Sequence, residues 1–277
     1  MKTRNTQQTL STYFLLGMVT VTAGYSVMNK AQAATEQTIV IATSADPRPF
    51  TYFDKNNQLA GYDIDVAKAI FENLPQYKIS FVTTEFTSIL AGLDAGRFQL
   101  GANNFAENKE RKEKYLFSQP IFENQFVIAT NEKNNNIQNF NDLLGKTTEV
   151  NPGVNFTTAL EKLNLQHKDN PVKLQYTEAE QLTVLQNLES GKADFVLIDK
   201  SMLEQYIREY HLKLKVTPLS KEDSSLIGSP YSYFLISKNA EGEKITNDIN
   251  TQIKKLSADG TLSKISIKYF DGDYAPK

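Results

Sequence analysis

An α/β fold built as two lobes is what this sequence predicts, and three features predict it. Short β-branched runs alternate with segments of helical apolar period, a helix–glycine–strand phrase occurs twice, and two apolar β-like runs bracket the second half of the chain. Strands alternating with helices imply a largely parallel sheet, whose ligands gather at the carboxyl ends of its strands. With 277 residues, 40% of them hydrophobic and 22% charged, the chain has the composition of a globular protein and room for one large or two modest domains.

Charge and cysteine count narrow the function classes. A formal net charge of -2 carries no basic excess of the kind that binds nucleic acid or anionic lipid. The absence of cysteine excludes disulfides, thiolate nucleophiles and cysteine metal sites. Residues 1–33 read as a secretory signal peptide: Lys2 and Arg4 open it, a weakly apolar run follows from Tyr13 to Val27, and Ala31-Gln32-Ala33 is a small-residue cleavage pattern. The apolar run is interrupted by Thr20, Thr22 and Ser26, which disfavours a membrane anchor. Cleavage removes Lys2, Arg4 and Lys30 and no acidic residue, so the net charge of the mature chain falls by three to -5. A lipid-modified N-terminus would need a cysteine, so the mature protein is expected free in the periplasm or secreted.

The elements follow in order. Thr38 to Thr43 is a β-branched run, hence a buried strand. Pro47 and Pro49 take the chain out of the sheet, since proline donates nothing to a ladder. Tyr52 to Leu59 reads as a hairpin turning at Asp54 to Asn57. Asp63 and Asp65 open a helix whose Ile64, Ala67, Ile70, Phe71 and Leu74 share a face, with the acids suited to the helix dipole and Pro75 ending it. Lys78 to Thr83 is the next strand, and Thr87 is the expected cap of a helix carrying Ile89, Leu90 and Leu93 that closes at Gly96. Leu90-Ala91-Gly92-Leu93-Asp94-Ala95-Gly96-Arg97 is echoed by Leu185-Gln186-Asn187-Leu188-Glu189-Ser190-Gly191-Lys192, each copy preceding a short apolar strand. The first strand leads to Asn104 and Arg111, the second to Asp199, so two similar lobes are expected to offer strand ends to one cleft. In the second half, Asn151-Pro152-Gly153 is a turn and Asn155 the expected cap of a helix running to Leu165, whose unpaired N–H groups attract an anion. Phe126 to Thr130 and Tyr233 to Ser237 are the candidate crossing strands.

The stretch Gly101 to Pro120 carries the first functional candidate. A strand ends in Asn103, Asn104, Phe105 and Ala106, and Arg111 is presented just beyond a charged turn. A guanidinium keeps its charge and offers a planar fork of donors, which suits it to grip a carboxylate. Asp199 has a duller role open to it as cap of the helix starting at Lys200-Ser201, and Phe86 as ordinary core. Asp46, beside two prolines, reads as a turn residue and stays among the candidate contacts.

Taken together and in order, several phrases resemble the extracellular solute-binding proteins of ABC importers for polar amino acids, over essentially all of the mature chain. They are Pro49-Phe50, Gly61-Tyr62-Asp63-Ile64-Asp65-Val66-Ala67, Glu110-Arg111 leading to Phe117-Ser118-Gln119-Pro120, Leu144-Gly145-Lys146, Lys192-Ala193-Asp194-Phe195, Leu256 to Thr261 and Lys268-Tyr269-Phe270. The resemblance implies a type II periplasmic-binding-protein fold, with residues 34–126 and 237–277 forming one lobe and 127–236 the other, joined by two crossing strands. It implies a protein that encloses one amino acid by hinge closure and delivers it to an ABC permease in the inner membrane; no metal or cofactor is expected, the charge argues against nucleic acid, and a closing cleft suggests a monomer. By the same resemblance Arg111 and the backbone amide of Ala106 hold the α-carboxylate, while Asp199 and the carbonyl of Asn104 take the α-ammonium. Phe86 supplies an aromatic wall, and Val154 and Asn155 the helix start that meets the carboxylate from the second lobe. Ala106 and Asn108 stand where hydroxyl residues are common in the family, and the wording from Asn103 to Arg111 is most similar to the cystine and cysteine branch. Two alternatives stay open: a dehydratase-like enzyme on the same scaffold, for which Glu85 or Glu107 would be the base, and a surface adhesin or sensor that binds an amino acid incidentally.

Overall fold

The computed structural model describes residues 36–277, so the leader expected over residues 1–33 lies outside the described residues. Strand β1 (Gln37–Thr43) opens the first sheet, and β2 (Tyr52–Phe53) and β3 (Leu59–Ala60) form the expected hairpin. Helix α1 (Tyr62–Glu72), β4 (Tyr77–Thr83), α2 (Phe86–Asp94) and β5 (Leu100–Ala106) follow, then α3 (Lys109–Lys114), β6 (Tyr115–Phe117) and β7 (Phe122–Glu123). The second half comprises β8 (Phe126–Asn131), a 3-10 turn at Phe140–Leu143, β9 (Thr147–Val150), α4 (Asn155–Gln166), β10 (Lys173–Tyr176), α5 (Gln181–Glu189) and β11 (Val196–Asp199). It continues through α6 (Lys200–Tyr210), β12 (Leu214–Pro218) and α7 (Lys221–Ile227), and the chain closes with β13 (Tyr231–Ser237), α8 (Ala240–Ala258) and α9 (Thr261–Phe270).

The first sheet runs β4-β1-β5-β13-β6, with β7 also paired to β13. Alternation along its strands sorts side chains to two faces. Ile39 and Ile41 of β1, Leu100 and Ala102 of β5, and Phe234 and Ile236 of β13 enter one apolar cluster together with Val66, Ile70, Ile249 and Leu262 of helices α1, α8 and α9. Ala42, Phe105 and Leu235, from the same strands, instead meet Ile89 and Leu93 of α2. In the second half β8 lies between β11 and β12, while β9 and β10 pair with each other.

Three expectations need correction. The sheets are mixed rather than largely parallel: β1 is parallel to β4 and β5, but β13 is antiparallel to β5, β6 and β7, and β8 is antiparallel to both its neighbours. The apolar run Phe126 to Thr130 belongs wholly to the second sheet and Tyr233 to Ser237 wholly to the first, so neither is itself a crossing strand. The chain passes between sheets just before each of them, at Asn124-Gln125 and at Gly228 to Pro230, where the Asn124 N–H donates to the Pro230 carbonyl. An apolar run signals a buried strand but not which sheet receives it. The helix starts also shift, since α2 begins at Phe86 with Glu85 before it and α4 begins at Asn155 with Val154 before it, leaving neither Thr87 nor Asn155 as a cap.

The repeated phrase is borne out in detail. Helices α2 and α5 end in the same way, the N–H of Ala95 bonding Ala91 and Leu93, and that of Ser190 bonding Gln186 and Leu188. Gly96 at φ 67° and Gly191 at φ 81° then take the left-handed turn that a side chain would oppose.

Candidate functional site

Both copies of the phrase aim their following strand at one cleft of about 770 Å3, measured to include space continuous with solvent. Asp46, Phe86, Asn104, Ala106, Arg111, Val154, Asn155 and Asp199, all the residues expected from the sequence, line it.

The charges in the cleft have unusual surroundings. Arg111 is 5% exposed, and its guanidinium donates to the Ala106 carbonyl at 2.7 Å and to the Gly153 carbonyl at 2.7 Å. It lies 5.8 Å from the Phe86 ring centroid and 5.3 Å from that of Phe105, within range of cation–π attraction. Among the described residues it forms no ion pair, and burial pulls it down to about 10. Asp199 is 3% exposed; its Oδ2 accepts the Asn104 amide Nδ2 at 2.8 Å and its Oδ1 has no partner among the described residues. Burial pushes it up to about 7, against the hydrogen bond from Asn104. One cation and one carboxylate, each buried without a counter-charge, thus border the same cleft. Such groups cost several kcal/mol unless a partner neutralises them.

Local structure explains their placement. Arg111 sits on α3, whose first turn is fixed by Asn108: its side-chain oxygen accepts the Arg111 N–H at 2.8 Å. Asn108 therefore does the work of a helix cap, with no hydroxyl needed. Asn104 takes φ 48°, a left-handed conformation that asparagine tolerates better than most side chains. Its N–H donates to Oδ2 of Asp63 at 2.7 Å. Asp63 is fully buried and pushed up to about 7 by that burial, so it props the end of β5 rather than serving the helix dipole from the surface. Asp199 precedes α6 but makes no side-chain cap bond to it, which removes the duller role.

Hydrogen bonds close the cleft from opposite sides, among them Arg111 to Gly153, Asn104 to Asp199, the Gln181 N–H to Asp46 at 3.4 Å, and the Arg48 N–H to the Tyr206 hydroxyl at 3.2 Å. Asp46 is held by more than a turn, and burial lifts it to about 6.

The model of the bacterial extracellular solute-binding proteins, family 3, matches residues 39–272. The chain belongs to that family. Among the relatives, the L-cystine-binding protein TcyJ of Bacillus subtilis (strain 168) is 29% identical over 267 residues, covering 96% of this chain and 94% of that protein. A solved chain described for glutathione import in Gram-positive bacteria via GshT and the cystine ABC importer TcyBC of Streptococcus mutans superposes with a TM-score of 0.81 at 37% identity, covering 87% of this chain and 98% of that one. An ancestral arginine-binding protein bound to arginine superposes with a TM-score of 0.74 at 28% identity, covering 85% and 99%. The fold is thus that of the type II periplasmic binding proteins.

Within this family fold, sequence reasoning missed part of the lining. Asn103, Asn124, Asn151, Phe156, Gln181 and Met202 also border the cleft. Asn103 had a signal, since it adjoins Asn104; its Oδ1 accepts the Ser44 N–H at 2.8 Å and ties the ends of β1 and β5 together. The others come from loops and helix starts whose convergence only the topology creates. Of the residues considered for catalysis, Glu107 is paired with Lys112 at 2.9 Å, and Glu85 lines a neighbouring cavity that shares Ser44, Asp46, Phe86 and Asn151 with the cleft.

Proposed function

We propose that the chain is the capture component of an amino-acid ABC importer, closing over one zwitterionic amino acid and presenting it to a membrane permease. The observation that carries this reading is the pair of buried, uncompensated charges, Arg111 and Asp199. A zwitterion leaves water only where both its charges find partners. Arg111 and Ala106, with the start of α4 at Val154 and Asn155, offer the carboxylate site, and Asp199 with Asn104 offers the ammonium site. Phe86 forms the wall beside Arg111. We assign residues 36–123 and 231–277 to one lobe and the intervening segment to the other, with the crossings at Asn124-Gln125 and Gly228 to Pro230 as the hinge.

Because the two charges stand on different lobes, the ligand touches both only when the cleft is shut, and its differential affinity drives closure. The protein acts as a monomer outside the cytoplasmic membrane, binding without chemical change. Cystine is the ligand this reading favours, supported by the cystine-binding relative. Glutathione is the second reading, favoured by the neighbour at 37% identity; its γ-glutamyl end carries the same free ammonium and carboxylate. Calorimetric titration with the common amino acids, L-cystine and glutathione tests the assignment. One of them is expected to bind with a micromolar or tighter Kd, about -8 kcal/mol or better. A panel giving neither heat nor a thermal shift refutes it.

A further inference from the structure

One buried group of the cleft has no part in the carboxylate and ammonium sites assigned so far. Asn124 lies on the first crossing segment, two residues before Phe126, which is the ladder partner of Asp199. The next residue, Gln125, accepts the Lys200 N–H at 2.7 Å, so the backbone is fastened beside the start of α6. The N–H of Asn124 is bonded to Pro230 of the second crossing segment. The residue is 5% exposed, and its Oδ1 has no hydrogen-bond partner among the described residues. It lines the cleft with Asn104 and Asp199, and also borders a cavity behind the crossings with Lys200, Pro218 and Pro230.

Asn104 Oδ1 and Asp199 Oδ1 are likewise buried without a partner. Three acceptor oxygens on one cleft, from β5, from the end of β11 and from the crossing segment, lack donors. Buried polar atoms are almost always paired, and stranding one costs about 1–3 kcal/mol. An alkylammonium brings three N–H donors and no acceptor, which matches this set in number and kind.

We infer that Asn124 is a third contact for the ligand's α-ammonium, made from the crossing segment itself, so that ligand occupancy is read directly by the hinge. The inference rests on the amino-acid reading of the cleft. It assigns Asn124 a function distinct from backbone pairing, because the Pro230 bond uses only its main chain.

L-cystine and L-arginine are titrated calorimetrically against the wild type and the Asn124→Ala, Asn124→Leu and Asn124→Asp variants. For whichever probe the wild type binds, Ala and Leu are expected to weaken binding at least about tenfold, the loss of one hydrogen bond to a charged group. Asp keeps an acceptor in place and is expected to bind within about threefold of wild type or more tightly. A purely structural role at the crossing would make the added charge of Asp at least as harmful as Leu. Equal losses in Asp and Leu, or wild-type affinity in Ala, overturn the inference while leaving the amino-acid reading intact. A wild type silent to both probes and to the whole panel overturns that reading and this one with it.

Discussion

Helices that begin at the cleft and helices that begin away from it are finished differently. Helices α2, α4, α5 and α6 are preceded by Glu85, Val154, Glu180 and Asp199, and none of these side chains accepts a bond from its own helix. Helices α3, α7 and α8 are preceded by Asn108, Ser220 and Asn239, and every one of these does, while α1 and α9 follow Gly61 and Gly260, which have no side chain to offer. Forgoing a cap costs about 1 kcal/mol per helix. What the cleft gains is helix starts whose partial positive charge is turned towards it, with the Gln181 N–H reaching Asp46 and the Lys200 N–H spent on Gln125, and an Asp199 whose carboxylate is turned to Asn104 and the cleft. Asn108, Ser220 and Asn239 complete their helices, whereas the four starts at the cleft are left without a side-chain cap.

The strongest way to break this comparison is to remove the charge that faces the open helix starts. Arg111→Ala should weaken every ligand of the panel by roughly 3–5 kcal/mol, because it strands the carboxylate. Arg111→Lys should not restore affinity, since an ammonium lacks the fork that reaches Ala106 and Gly153 together. Phe86→Ala, by contrast, should reorder the ligands rather than weaken all alike, and calorimetry across the panel separates the two patterns. A uniform loss in both variants would erase the distinction between anchoring and selecting residues.

Much of this site was legible from residue types and order. Arg111 was exposed as a candidate by the strand-to-turn wording around it, and Asp199 by the repeated helix–glycine–strand phrase, which α2 and α5 reproduce down to their terminal hydrogen bonds. Asp63 was misread because an acid in a first helical turn is ordinarily solvated, and only the packing of α1 against the end of β5 shows it buried beneath Asn104. Asn124 and Gln181 were invisible because a polar residue in a loop has no period to mark it. The sheet into which β8 and β13 pair was illegible for a similar reason: period reports burial, while partner choice depends on contacts far along the chain.

A smaller effect should follow from converting a cleft-facing start into a remote-type one. Val154→Asp supplies α4 with the cap it lacks, and ligand-free stability should rise by about 0.5–1 kcal/mol. On the proposed reading the new carboxylate also stands beside the ligand's carboxylate, near Arg111, so affinity should fall about tenfold. Thermal melts without ligand and titrations with it must move in opposite senses. If affinity is untouched, the open end of α4 has no part in binding.

Acidity probes the other charge. Asp199 and Asp63 both stand near 7 instead of the usual carboxylate range, raised by burial. The folded chain therefore holds more protons than the unfolded one between about pH 4 and 7, and the stabilisation of the ligand-free protein, full at the lower end, is lost as pH rises through 7. Ligand binding runs the other way: on the proposed reading the ammonium needs an ionised Asp199, so affinity should drop by roughly 25-fold, or about 1.9 kcal/mol, between pH 7.5 and 5.5. Asp199→Asn should bind more weakly at pH 7.5 and lose most of this pH dependence. A dependence that survives in the variant would move the ammonium contact elsewhere.

The smallest change tests the remote set. The Ser220 side chain caps α7 by accepting the Asp223 N–H at 3.0 Å, and α7 packs through Ile227 into the apolar cluster of the second half. Ser220→Ala should cost about 1 kcal/mol of stability, read as a lower denaturant midpoint, with ligand affinity unchanged. Because α7 also borders the cavity behind the crossings through Ser224 and Ser225, an affinity change would mean that this helix takes part in closure. Unchanged affinity with reduced stability would show that caps on the remote helices serve the fold alone, and that their absence at the cleft is tied to what the cleft holds.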